Sequence, residues 1–255
     1  MQKLNIIKFG KGPELALLHG WGSSSKIWQN CIHELSQNFR LWCVDLPGHG
    51  GSHTIKWDGS IEQGVELLAQ SLPSTCSIVG WSLGGLAAQL YTASYPQRVK
   101  KLMLIASAPR FTISEQWPHG MNESAFLNFY NQFEQAPVQT LKKFSTLQTL
   151  NSESSREALS LLTESMSNQD QHIKSIKWGL QWLHDVDMCE EKTLQEVFID
   201  LLHGENDQVL SIRAAEQTTK IWKQAHLEKF TDAGHVPFIS HPKKFLKHIV
   251  ERASF

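Results

Sequence analysis

The chain lacks most of the features that mark specialised protein classes. No apolar stretch approaches the ~20 residues that cross a bilayer, so no membrane span is predicted. Lys plus Arg number 24 against 25 Asp plus Glu, a formal charge of −1 over 255 residues. The basic residues form no long run, and nucleic acid is not an expected partner, because neutralising phosphates takes clustered cations. Only four cysteines occur, Cys31, Cys43, Cys76 and Cys189. They form no CxxC pair, which argues against a zinc site or a thioredoxin-like motif. Cys43 and Cys76 fall inside apolar runs and read as small buried hydrophobes. Met1 to Lys11 lack the apolar core of a signal peptide, so a reducing, cytoplasmic setting is expected. What is present, 41% hydrophobic and 19% charged residues, is the composition of an ordinary globular protein. A chain of this length buries roughly three quarters of its unfolded surface.

Short apolar runs end at turn residues and alternate with helical patterns. Leu15–His19 runs into Gly20, Leu41–Leu46 into Pro47-Gly48, Cys76–Gly80 into Trp81-Ser82, and Leu102–Ser107 ends before Pro109. Phe198–His203 and Leu227–Thr231 follow. Near-continuous apolar strands indicate a sheet covered on both faces. Helical spacing over Glu62–Leu72, Leu83–Tyr95, Ile212–Trp222 and Lys243–Ile249 makes the fold class α/β, with a mostly parallel central sheet. Between Pro109 and Cys189 the alternation stops. Phe126, Phe129, Tyr130 and Phe133, then Leu141 and Phe144, then Ile173, Ile176, Leu180 and Leu183, recur at helical spacing. Most of these side chains read as core packing, but the insertion is too long for a plain connection. The expected organisation is a core of residues 1–108 and 190–255 with an inserted helical cap, 109–189.

The sharpest chemical signal is Gly80-Trp81-Ser82-Leu83-Gly84, a G-x-S-x-G motif between an apolar strand and a helix. On such a tight turn the serine backbone is strained and its neighbours must be glycine. The hydroxyl is pushed over a helix N-terminus, whose free N–H groups favour negative charge. A serine needs a base to become a nucleophile. Among twelve histidines, His235 is singled out by its Gly-supported turn after the last strand, Asp232-Ala233-Gly234-His235-Val236-Pro237. Asp207, after the strand Phe198–Leu202, is the candidate that orients the imidazole. Asp200 and Glu205 are rivals, the first lying inside the strand and the second less well spaced. The oxyanion donors are predicted to be the main-chain N–H groups of Leu83 and of Trp21, in His19-Gly20-Trp21-Gly22. His19 reads as a hydrogen-bonded structural histidine.

The HGWG loop, the segment Asp45-Leu46-Pro47-Gly48-His49-Gly50-Gly51-Ser52, the GWSLG elbow and the order Ser82, Asp207, His235 resemble the α/β-hydrolase superfamily. Phe144-Ser145-Thr146-Leu147-Gln148 and His235-Val236-Pro237-Phe238-Ile239-Ser240-His241-Pro242 further resemble the pimeloyl-[acyl-carrier protein] methyl ester carboxylesterase family of biotin synthesis. The resemblance implies an α/β-hydrolase fold and hydrolysis of a methyl ester borne by acyl carrier protein. It also implies a substrate pocket using Trp21, Ser82, Leu83, Phe144, Ser145, Thr146, Leu147, Gln148 and His235. The acidic carrier protein would dock on basic cap residues, here Lys142, Lys143 and Arg156, while Gln139 and Ser160 occupy two other positions where that family is basic. No cofactor and no metal is expected, and a monomer is the expected state. The competing readings are a general short-chain or lipase-like esterase, a C–C bond hydrolase, and a non-catalytic binder of small apolar ligands, since a fold alone does not define activity.

Overall fold

A computed structural model describes residues 2–152, 154–166 and 173–253, and the side chains of Ile173 and Lys174 lie outside the described set. Its centre is a seven-stranded sheet in the order β1-β3-β2-β4-β5-β6-β7. The strands are β1 (Ile6–Phe9), β2 (Glu14–Leu18), β3 (Arg40–Val44), β4 (Cys76–Trp81), β5 (Val99–Ile105), β6 (Ile199–Gly204) and β7 (Ala225–Phe230). Every pairing is parallel except β1 with β3. The apolar runs behave as read. β4 and β6 are buried along their whole length, because helices cover both faces.

Alternate residues feed two separate cores. Ala16, Leu18, Ile78, Leu102, Leu104 and Leu201 face one, and Leu15, Leu17, Val79, Met103, Ile105 and Leu202 face the other, as the two-residue period of a strand requires. Each fully buried Leu, Ile, Val or Met among them contributes roughly 1.5–3 kcal/mol. The helices against the sheet are α1 (Gln29–Leu35), α2 (Ile61–Ser71) and α3 (Leu83–Ser94), and later α8 (Lys192–Glu196), α9 (Ile212–Ile221), α10 (Pro237–Ser240) and α11 (Pro242–Ala253). Between β5 and β6 stand α4 (Glu123–Gln135), α5 (Pro137–Thr149), α6 (Ser155–Met166) and α7 (Lys177–Asp185).

Four elements were not foreseen: β1, α1, and the short helices α8 and α10, whose five and four residues are too few for a helical period. β1 is a four-residue edge strand, IIKF, whose central residues are exposed, and Lys8 interrupts its apolar residues before they form a run of strand length. α1 buries only Cys31 and Leu35 within its span, too few positions for a clear helical period. The cysteines are unpaired, and burial pushes the thiols of Cys31, Cys43 and Cys76 up to about 12. No helix among the described residues is long and apolar enough to cross a membrane.

Candidate active site

Ser82 caps α3 at φ 53° and ψ −117°, a backbone region that is costly for any L-residue and persists only where the surroundings impose it. The surroundings here are glycines. A Cβ at Gly80 would lie 2.5 Å from the Gly84 carbonyl oxygen, one at Gly84 would lie 2.3 Å from the Leu18 oxygen, and one at Gly85 would lie 2.5 Å from Ser107 Cβ. The strand therefore passes into the helix with no room for side chains at positions 80, 84 and 85 around the serine. The Ser82 N–H donates to the Ile105 oxygen at 2.9 Å, which ties the turn to the neighbouring strand.

Asp207 and His235 follow β6 and β7, and the structure joins them. His235 Nδ1 lies 2.7 Å from Asp207 Oδ2, with both side chains fully buried. The other carboxylate oxygen accepts the N–H groups of Val209 and Leu210 at 2.8 and 3.0 Å. Burial alone would raise the Asp207 carboxyl, but His235 and His203, with the hydrogen bonds they supply, hold it well below the usual carboxylate range. His235 is fixed in turn through its main chain, whose N–H donates to the Gln148 oxygen at 3.1 Å. Its carbonyl accepts the Trp81 indole N–H at 2.9 Å, so the residue preceding Ser82 is tied to the imidazole-bearing loop. His235 Nε2, the nitrogen left for a hydroxyl proton, is buried without a hydrogen-bond partner. The serine–imidazole link is thus open here, and such links often tighten only when substrate binds.

The rivals of Asp207 are placed elsewhere. Asp200 binds Arg252 at 2.8 Å, and Glu205 is exposed. His203 is the member that the sequence did not reveal. Its Nε2 lies 2.7 Å from the Leu210 oxygen and 3.3 Å from Asp207 Oδ2. The available signal was its i, i+4 spacing to Asp207, with a histidine near the end of a mainly apolar strand.

The loop after β2 carries the second predicted oxyanion donor. Among the described residues, no backbone acceptor takes the main-chain N–H of Trp21 or of Leu83. The Trp21 indole N–H donates to the Ile176 oxygen at 2.7 Å, and its ring meets Phe129, Phe133 and Phe144 edge-on at 5.1–5.6 Å. His19 is a hydrogen-bonded buried histidine: its Nδ1 lies 2.7 Å from the Gly20 oxygen, and its Nε2 accepts the Leu46 N–H at 3.0 Å.

A cavity of about 500 Å³ opens at Ser82 and Asp207. Its walls are mainly apolar, with Trp21, Phe129, Phe144, Leu147 and Leu180 among them. Phe144 and Leu147 reach it because they stand one turn apart on α5. Ser145 and Thr146, on other faces of that helix, do not. Ser145 Oγ is buried against the Leu141 oxygen and Met166 Sδ, and Thr146 is exposed. Gln148 is buried and contributes its main-chain oxygen to His235 rather than a wall. Leu83 packs behind the elbow beside Gly179 and Trp182. Lys142, Lys143 and Arg156 are exposed, the first two on α5 and the third on α6.

The family described as alpha/beta hydrolase fold matches residues 13–242. The chain belongs to that family. Among this hydrolase's relatives, the pimeloyl-[acyl-carrier protein] methyl ester esterase of Nitrosomonas europaea is 37% identical over 247 residues, covering 96% of this chain and 98% of that one. The enzyme of the same name from Chromobacterium violaceum is 32% identical over 249 residues, covering 97% of each. Among solved structures, an esterase from Exiguobacterium antarcticum superposes with a TM-score of 0.82 at 22% identity, covering 97% of this chain and 94% of that one. That degree of likeness establishes the fold alone.

Proposed function

We propose that this hydrolase is a serine carboxylesterase that cleaves the methyl ester of a pimeloyl chain carried on acyl carrier protein. The observation that carries the chemistry is the buried 2.7 Å bond between Asp207 and His235, beside a serine held on a strained turn. A pure binding module needs no carboxylate behind an imidazole. The substrate comes from the relatives' shared name, at identities of 32–37% over nearly the whole chain.

In the proposed reaction Ser82 Oγ bonds to the ester carbonyl carbon while its proton passes to His235 Nε2, and Asp207 stabilises the imidazolium so formed. The N–H groups of Trp21 and Leu83 receive the charge on the carbonyl oxygen. The bond to the methoxy oxygen then breaks, and the proton on His235 leaves with it as methanol. Water attacks the acyl-enzyme, His235 takes its proton and returns it to Ser82, and a free carboxylate departs. The acyl chain lies along Trp21, Phe129, Phe144 and Leu147, gaining about 0.8 kcal/mol per methylene buried. Residues 109–189 act as the cap that supplies this apolar lining. Lys142, Lys143 and Arg156 form the docking face for the acidic carrier protein, and α5 links that face to the cavity because it also bears Phe144 and Leu147.

The test is hydrolysis of the carrier-bound methyl ester, followed by mass spectrometry of the acyl carrier protein and by methanol release, with Ser82→Ala as control. Loss of methyl from the carrier-bound chain by the wild type alone is expected. Turnover of p-nitrophenyl butyrate without turnover of the carrier-bound ester would make the protein a general esterase. No turnover of either, with no phosphonate label on Ser82, would leave a ligand-binding protein.

A further inference from the structure

The proposed Trp21 donor is a main-chain N–H in the Gly20–Trp21 peptide plane, and the Trp21–Gly22 plane bears on its aim through the Trp21 Cα that joins the two. The first is held by His19. No cis peptide occurs among the described residues, so the Trp21 N–H points opposite to the Gly20 carbonyl of the same peptide. That carbonyl is drawn to His19 Nδ1 at 2.7 Å and to the Ser23 N–H at 3.2 Å.

The second plane, between Trp21 and Gly22, is held from the far side of the loop. The Gly22 N–H donates to His49 Nε2 at 3.2 Å, and His49 Nδ1 lies 2.9 Å from the Pro47 oxygen. A ring nitrogen facing a carbonyl must carry the proton, and one facing an N–H must accept. His49 is therefore a neutral imidazole with a defined tautomer, 1% exposed and 5.1 Å from the His19 ring. Burial pushes its pKa down to about 3, which keeps Nε2 an acceptor at any working pH. Helix α5 also packs close against the loop. Gly22 sits at φ 72°, and a Cβ there would lie 2.6 Å from Leu141 Cδ2. Among the described residues, no other hydrogen bond holds this peptide plane.

We propose that His49 is a positioning residue for ester hydrolysis, whose ring accepts the Gly22 N–H and so keeps the Trp21 N–H aimed at the oxyanion. The inference rests on the esterase reading of the site. His49 touches neither substrate nor Ser82 in this role. It acts through Trp21, and its contribution is realised only when charge develops on the carbonyl oxygen.

Three substitutions separate positioning from packing. His49→Leu removes both ring nitrogens, His49→Asn can still reach the Pro47 oxygen but not Gly22, and His49→Gln places an amide oxygen near Gly22. Each folded variant is assayed with p-nitrophenyl butyrate and with an alkyl boronic acid, whose tetrahedral adduct on Ser82 puts an oxygen in the oxyanion site. Losing an oxyanion donor outright costs ~10²–10³ in kcat, so a misaimed one should cost roughly 10- to 100-fold. His49→Leu and His49→Asn are expected to show that loss in kcat with KM nearly unchanged, and boronate affinity should weaken in parallel. His49→Gln should recover most of both. If His49→Leu does not fold, the contrast between Asn and Gln decides. Unchanged kcat in the Asn variant, a kcat loss without weaker boronate binding, or Gln no better than Asn would each overturn the inference. A wild-type protein that neither turns over ester nor binds boronate would instead overturn the esterase reading on which it stands.

Discussion

Replacing Asp207 by Asn tests the site most directly, because it removes one charge and almost no volume. Oδ1 of Asp207 accepts from the N–H groups of Val209 and Leu210, and Oδ2 faces His235 Nδ1 at 2.7 Å. An asparagine has a single acceptor oxygen for these two sides. Turning its NH2 toward Val209 and Leu210 would set a donor against two donors, so the oxygen stays there and the NH2 faces His235. Nδ1 must then accept, the ring proton moves to Nε2, and Nε2 can no longer take the proton of Ser82. A wrong tautomer of this kind costs ~10⁴ in kcat, equivalent to about 5 kcal/mol of transition-state stabilisation. The assay is kcat and KM for p-nitrophenyl butyrate, with the melting temperature as a check on folding. An Asp207→Asn protein within ~tenfold of wild type would refute the reasoning. So would a larger loss in Glu205→Gln, whose exposed side chain should tolerate the change within about twofold.

Because Asp207 is held below its ordinary value in the folded protein, its contribution to stability is complete above the unfolded carboxylate pKa of about 3.9 and is lost as pH falls below it. The difference in melting temperature between wild type and Asp207→Asn should therefore hold steady from neutral pH to about 5 and shrink only below about 4; a difference that shrinks already between pH 7 and 5 would contradict this. Ser82→Ala should lose ~10⁶ in kcat and all labelling by a fluorophosphonate, read by intact mass. Gly80→Ala drives a Cβ to within 2.5 Å of main chain and should cost about 3 kcal/mol, lowering the melting temperature by roughly 6–12 °C. Lys142→Glu combined with Lys143→Glu should slow reaction on the carrier-bound ester about tenfold at low salt, and less at high salt, while sparing p-nitrophenyl butyrate. Equal loss on both substrates would remove the docking role from α5.

The strands of the sheet were legible wherever both faces are covered, since a doubly buried strand is nearly continuous in apolar residues. β4 and β6 are of this kind, and each ends near a predicted site residue. β1 was not legible, because an edge strand with exposed central residues has no such signature. The G-x-S-x-G motif announced Ser82 because its strained turn excludes side chains at fixed neighbouring positions, a constraint that is local in the chain. Asp207 and His235 were visible through their turns and their places after strands. Asp200 could be set aside because it lies within a strand, and the structure gives it to Arg252.

What sequence alone determined is what short-range sterics and burial impose: apolar strands, a glycine-bounded serine, and loops able to hold a carboxylate and an imidazole. Tertiary structure decided which side chains meet across distant segments. That His203 shares Asp207, that His49 holds Gly22, and that Phe144 and Leu147 rather than Ser145 and Thr146 face the cavity all depend on the relative placement of elements far apart in the chain. Hydrogen bonds and cavity walls are made at distances of a few ångströms between such elements, and no spacing along the sequence encodes those distances.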